Sequence, residues 1–197
     1  MQFKVLIFTG LFGSAAFAAP IEGVVDAVGA AQDLVTITSA FSAIEGSLTA
    51  LDTAVKGLAP GGDAKAAASA LIARSKAVED AIKDGTSKVG ATSAISLVDA
   101  LQVQSASSKL TTLTTQTIND LIAKKDIIKQ AGQTKVTLDS LNAQKTASDA
   151  FVKAVTSKVP SAVQSIAANA SKSVGDALAK GIQAFSGAAK RMAFTML

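Results

Sequence analysis

The chain has 197 residues, 49% of them hydrophobic but only 17% charged and 4% aromatic. Forty residues are alanine, while Val, Ile, Leu and Phe together supply 53. That is enough to bury one domain's core and too many for a disordered chain. His, Cys, Trp and Tyr are absent, which excludes histidine proton shuttles and Ser-His-Asp triads. The same absences exclude structural zinc, haem, thiol nucleophiles and disulfide scaffolds. No cofactor and no metal site is expected.

Residues 1–18 read as a secretory signal. Lys4 is the basic start, residues 5–12 are mainly apolar, and Ala16-Phe17-Ala18 is a small-x-small cleavage site. Cleavage is expected after Ala18. The apolar run falls short of the ~20 residues that span a bilayer, and no transmembrane segment is expected further on. Residues 1–18 hold Lys4 and no acid, so the net charge of +4 becomes +3 in the mature chain. Residues 19–187 are read as one helical domain and 188–197 as a short C-terminal tail.

Helical periodicity runs through that domain. A short helix is expected near residues 21–34, weakened by Gly23 and Gly29. Over residues 36–58, Phe41, Ile44, Leu48, Leu51, Val55 and Leu58 recur at steps of three and four, one face of a helix. Gly57 and Ala59-Pro60-Gly61-Gly62 end it, and Asp63 suits the N-cap of the next helix. That helix, residues 64–88, carries Leu71, Val78, Ile82 and Val89, with Gly85 and Gly90 near its end.

A long segment over residues 93–130 places Ile95, Val98, Leu101, Leu110, Leu113, Ile118, Leu121 and Ile122 inward, and Gly132 closes it. Its Thr111, Thr112, Thr114, Thr115 and Thr117 are poor helix formers, yet no period-2 partner strand exists. Residues 134–157 carry Leu138, Leu141, Phe151, Val152 and Val155. Pro160 suits the first position of a last helix bearing Val163, Ile166, Val174, Leu178, Ile182 and Phe185. The expected fold is all-α, an up-and-down bundle of about five long antiparallel helices plus a short N-terminal helix.

Chemical motifs are few. The glycines between Gly57 and Gly62 have phosphate-loop spacing, but Asp63 stands where lysine is required. Glu79, Asp80 and Asp84 sit near Lys76 and Lys83, the pattern of a solvated helix face. Lys124, Lys125 and Lys129 form a small basic patch with Asp120 and Asp126 among them. Asp120 and Lys124 have the favourable acid-first spacing for an ion pair. Net +3 without Tyr or Trp gives no nucleic-acid footprint. Asn169-Ala170-Ser171 is a glycosylation sequon, with Asn169 the candidate acceptor. No catalytic residue is signalled, and the chain is not expected to be an enzyme. The aliphatic stripes remain, and they suit either a closed core or an elongated apolar cavity for an acyl chain.

The helix over residues 36–58, Leu101-Gln102-Val103-Gln104, and Leu121-Ile122-Ala123-Lys124-Lys125 followed by Gly132 resemble fungal hydrophobic surface-binding protein A and the related cell wall galactomannoproteins. The resemblance covers residues 24–187. It implies a secreted, non-enzymatic, all-helical protein that adsorbs to hydrophobic surfaces or holds fatty acids within its bundle. Asp126 stands where many relatives have proline, and the six residues after Lys190-Arg191 are too short for a hydrophobic anchor tail. Lipid or a hydrophobic surface is therefore the expected partner, with cell-wall polysaccharide and secreted hydrolases as further candidates. The expected location is extracellular or wall-associated. The stripes supply the candidate apolar lining: Phe41, Leu48, Leu71, Val78, Leu110, Leu113, Ile122, Phe151, Ile166 and Phe185.

Overall fold

A computed structural model describes residues 22–59 and 64–195 of the chain. The expected signal, its cleavage point after Ala18 and the Asp63 cap lie outside these residues. Six helices follow in order: α1 (Glu22–Lys56), α2 (Ala64–Gly90), α3 (Leu97–Ala123), α4 (Lys125–Gln130), α5 (Thr134–Thr156) and α6 (Ser161–Thr195). The fold is all-α, with five long helices and one short one. The short helix lies between α3 and α5 rather than at the N-terminus. The segment near residues 21–34 runs without a break into the stripe that starts at Phe41, because a lone glycine inside a helix costs only about 1 kcal/mol. Helix α6 continues past residue 187 to Thr195.

The long helices close into a ring. Helix α1 packs against α2 and α3, α2 against α5, α5 against α6, and α6 returns to α3. Short turns reverse the chain between consecutive long helices, so those run antiparallel. Ring neighbours that are not consecutive in the chain obey a different rule. The Ser93 amide just before α3 donates to Asp33, and Lys109 and Asp120 of α3 pair with Glu45 and Lys56 of α1. The two helices therefore run parallel. Likewise α3 and α6 share one direction, with Lys180 donating to Asn119, and α2 and α5 share the other, with Gln144 donating to Ser75.

Each helix turns a stripe with steps of three and four toward the ring's axis. Leu71, Ser75, Val78, Ile82, Gly85 and Val89 form it on α2. On α5 it is Thr134, Thr137, Leu141, Gln144, Ser148, Phe151 and Val155. Helix α3 departs from the expected phase. Val98 and Leu101, expected inward, are 70% and 55% exposed, while Ala100 and Val103 are buried. Helix phase explains the shift. Steps of seven back from Leu110 and Leu121 reach Val103 and Ala100, whereas Leu101, nine residues before Leu110, stands on the opposite face. Ser96 caps the helix, its Oγ accepting from the Asp99 amide at 3.2 Å and donating to the Asp99 carboxylate at 2.7 Å. The inward stripe is Ala100, Val103, Ser107, Leu110, Thr114, Thr117 and Leu121.

Lysines latch both ends of the ring. At one end the Lys158 ammonium donates to the carbonyls of Gly90 and Thr92, and the Ile95 amide donates to the Lys158 carbonyl at 2.8 Å. This joins the α2–α3 turn to the α5–α6 turn. At the other end α4 lies across the opening with Ile128 buried. Gly132, at φ +71°, adopts the left-handed conformation that ends α4. There the Gln133 amide bonds the Ile128 carbonyl and the Gly132 amide bonds Lys129, a Schellman closure. By length and composition alone, Ala31–Lys56 would pass as a membrane span, which the sequence reading did not anticipate. In the fold, the apolar stripe of this stretch is buried against α2 and α3.

Two glycines are needed for this packing. A Cβ at Gly85 would stand 3.2 Å from Phe151 Cε2 and 3.3 Å from Ala40 Cβ. At Gly181 it would stand 3.3 Å from both Ile118 and Leu141. Gly46 and Gly175 meet nothing within 4 Å. Urea unfolding followed by circular dichroism should show Gly46→Ala and Gly175→Ala each gaining about 0.5–1 kcal/mol of helix propensity. Gly85→Ala should instead lose about 1–2 kcal/mol through overpacking against Phe151.

Candidate functional site: an apolar cleft inside the ring

The inward stripes do not meet completely. A cleft lined by all five long helices holds about 690 Å³ not filled by protein atoms, its open mouth included. The enclosed room is only about 60 Å³, well below the ~300–1,000 Å³ of small-molecule sites, so a long ligand has to part the stripes to enter. Phe41, Ile44 and Leu48 of α1 face Phe151 and Val155 of α5 across it, with Leu110 of α3 and Leu178 of α6 on its sides. The Phe41 and Phe151 rings meet edge to face with centroids 5.1 Å apart, a favoured aromatic geometry. A second cleft of about 480 Å³ continues toward the α4 end. A third, of about 420 Å³, runs between α3 and α6 toward the Lys158 end.

The second cleft shares Leu48, Thr114, Gln144 and Leu178 with the first. The third shares Ser107, Val155, Ala167 and Ala170 with it. The three are thus neighbouring apolar clefts along the ring, separated by shared wall residues. Their polar groups are uncharged. Gln144 is 4% exposed, and its Nε2 donates to the Ser75 carbonyl at 3.2 Å and to the Ser75 hydroxyl at 2.9 Å.

The expected lining residues divide. Phe41, Leu48, Val78, Leu110 and Phe151 border the main cleft, and Leu71 borders the second. Phe185 is fully buried in the core. Leu113 and Ile122 are half-buried and pack against that core without bordering a cleft. The Ile166 side chain lies outside the described residues. Sequence reasoning missed Thr114, Gln144, Ser107, Ser148 and Ser171 because it counted only bulky apolar residues. The signal was present: these polar residues continue the three-and-four spacing of their helices. Asn169 is exposed on α6, two residues before Ser171.

The remaining polar motifs are structural. Lys76–Asp80, Lys83–Glu79 and Lys88–Asp84 are ion pairs along the exposed face of α2. Among the described residues no cluster of three or more potential metal ligands occurs. The expected Asp120–Lys124 pair does not form. Asp120 instead faces Lys56 at 3.5 Å, and the Lys124 ammonium donates to the Leu58 carbonyl at 2.7 Å. The reason is position: Lys124 sits at the break between α3 and α4, where it reaches the end of α1. The hydrogen bond to Asp52, at 2.6 Å, raises Lys56 above its ordinary 10.5, with the charges of Asp52 and Asp120 adding and partial desolvation opposing. This stabilisation is therefore complete below pH 10.5 and is lost only as pH rises through the folded value.

The family model for hydrophobic surface binding protein A matches residues 34–157. The chain belongs to this family. Cell wall mannoprotein 1 of Aspergillus flavus is 35% identical over 187 residues, 94% of this chain and 63% of that protein. The Aspergillus fumigatus protein of the same name is 34% identical over 190 residues, covering 96% of this chain and 62% of its own length. The chain thus spans a little under two thirds of these curated relatives. Ligand-binding domain 1 of Penicillium marneffei MP1, complexed with arachidonic acids, is 29% identical with a TM-score of 0.73. The match covers 78% of this chain and 98% of that domain. AFMP4P in complex with palmitic acid is 26% identical, also with a TM-score of 0.73, over 77% of this chain and 99% of that one.

Within the segment that carries the resemblance, the two lysines have different tasks. Lys124→Ala should lower unfolding stability by about 1–2 kcal/mol, because it removes a charge-assisted hydrogen bond to a part-buried carbonyl. Lys125→Ala, on the same turn, should stay within about 0.5 kcal/mol of the parent. Paired urea titrations measure both.

Proposed function

We propose that the chain binds long apolar molecules, fatty acyl chains among them, inside the helical ring. The observation that carries this reading is the row of adjoining clefts inside a ring of five long helices, apolar along most of their walls and without a charged residue on them. Its supports are the arachidonic and palmitic acid complexes of the related bundles. Phe41, Leu48, Leu71, Val78, Leu110 and Phe151 are the proposed wall residues. The protein acts by burial and not by catalysis. Its proposed setting is outside the cell or in the wall, which the signal-like residues 1–18 and the mannoprotein relatives favour. A glycan on exposed Asn169, and contact with wall polysaccharide or secreted hydrolases through Lys125 and Lys129, are proposed alongside.

A fluorescent fatty acid titrated into delipidated protein should bind saturably. Ala167 borders both the main and the third cleft. Ala167→Phe, which fills their junction, should weaken binding at least about tenfold while circular dichroism retains the helical spectrum. Absence of saturable binding by the parent protein would refute the cleft reading.

A second reading, adsorption to hydrophobic surfaces, is favoured by one exposed patch. Leu97, Val98 and Leu101 are 51%, 70% and 55% exposed on the first turns of α3. Clustered apolar exposure of this kind marks interaction sites. The double variant Val98→Lys and Leu101→Lys should lose most adsorption to hydrophobic beads and keep fatty-acid binding. Unchanged adsorption would remove the patch from this role.

A further inference from the structure

The waist where the first and second clefts meet has a defined hydrogen-bonding character. Four residues border both clefts: Leu48, Thr114, Gln144 and Leu178, from α1, α3, α5 and α6. Two are apolar, and the other two each present an unused polar atom. Thr111, Thr112, Thr115 and Thr117 return their hydroxyls to carbonyls of their own helix. Thr114, 6% exposed, makes no such bond. Gln144 is oriented by its partner. A carbonyl can only accept, so the amide nitrogen must face the Ser75 carbonyl, and it reaches the Ser75 hydroxyl as well. Both contacts of the amide nitrogen go to Ser75, and Oε1 is left as a free acceptor.

Neither atom is sealed in. Among the described residues, the enclosed side-chain atoms without a partner are Asp52 Oδ1, Asp120 Oδ2 and Thr134 Oγ1. Thr114 Oγ1 and Gln144 Oε1 are not among them, so both reach the open clefts. The waist therefore offers one hydroxyl, able to donate or accept, and one atom that only accepts. No lysine or arginine borders any of the three clefts.

This set fits an O–H group. A ligand hydroxyl can donate to Gln144 Oε1 while its oxygen accepts from Thr114. A carboxylate brings no proton to Oε1, sets its lone pairs against it and finds no cation to replace its lost water. Resting on the cleft-binding reading above, we infer that Thr114 and Gln144 bind the neutral O–H of a long-chain alcohol or un-ionised fatty acid, in preference to the carboxylate of the same chain.

The test displaces diphenylhexatriene, a neutral fluorescent hydrocarbon, from the delipidated protein with 1-dodecanol or dodecanoic acid. At pH 8 dodecanol should compete about tenfold more tightly than dodecanoate. At pH 4, where the acid is largely un-ionised, the gap should close. Thr114→Val and Gln144→Leu should each weaken dodecanol by about 3–10-fold relative to diphenylhexatriene, with circular dichroism reporting that the ring is intact. Thr114→Ser, which keeps the hydroxyl, should restore dodecanol binding. Dodecanoate binding at pH 8 as tightly as dodecanol, or variants that spare dodecanol, would overturn the inference and leave the cleft reading standing. If diphenylhexatriene itself fails to bind the parent protein, the cleft reading falls and this inference falls with it.

Discussion

A ring of five helices cannot close its own centre with aliphatic side chains alone. For helices ~9 Å apart, a square of four leaves an axial space about 4 Å across, whereas a pentagon leaves about 6 Å. That extra width governs the rest of the structure. Each helix must present an unbroken inward stripe, since any gap opens onto the axis. Aromatic rings reach further toward the axis than aliphatic chains, and Phe41 and Phe151 meet there from helices that are not ring neighbours. What they leave unfilled is the row of clefts.

The same geometry explains the placement of the small residues. Gly85 lets α2 approach closely enough for Phe151 to lie against it, and Gly181 does the same for α6 between Ile118 and Leu141. Pulling helices inward at these points narrows the ring locally. Elsewhere Ala167 and Ala170 of α6 leave space unfilled beside Ser107 and Val155. Along α6, loose packing at Ala167 and Ala170 thus gives way to a tight glycine contact at Gly181. The lysine latches act at right angles to this packing. Lys158 and Lys124 bind carbonyls at opposite ends and hold the turns together beside the buried side chains there.

Much of the fold was legible because bulky aliphatic residues at steps of three and four report a buried face directly. Phe41 to Leu58 and Leu71 to Val89 are buried as their spacing implies. The phase of α3 was misjudged because bulk was weighed above spacing. Leu101 stands half a turn from Leu110, whereas Val103 and the small Ala100 keep the seven-residue step to Leu110 and Leu121 and are buried. Ring order was also hidden, because short turns specify reversal between consecutive helices but not which helices become neighbours. The polar half of the cleft escaped for a physical reason. A buried glutamine is read as a surface residue until its partner is known, and that partner, Ser75, lies 69 positions away in the chain.

Internal binding and adsorption draw on apolar surface in opposite ways. A ligand in the clefts is held only while the ring stays closed, for the wall comes from all five long helices at once. Adsorption through Leu97, Val98 and Leu101 needs no opening, because that patch is already outside the ring. Adsorption by unrolling the helices onto a surface would break the Lys158 and Lys124 contacts and separate Phe41 from Phe151. A ligand that binds only the closed ring would then oppose that unrolling by linkage, in proportion to its occupancy. On the proposed reading, the exposed start of α3 would let one molecule carry lipid and coat a surface together. The inward stripes serve one role at a time.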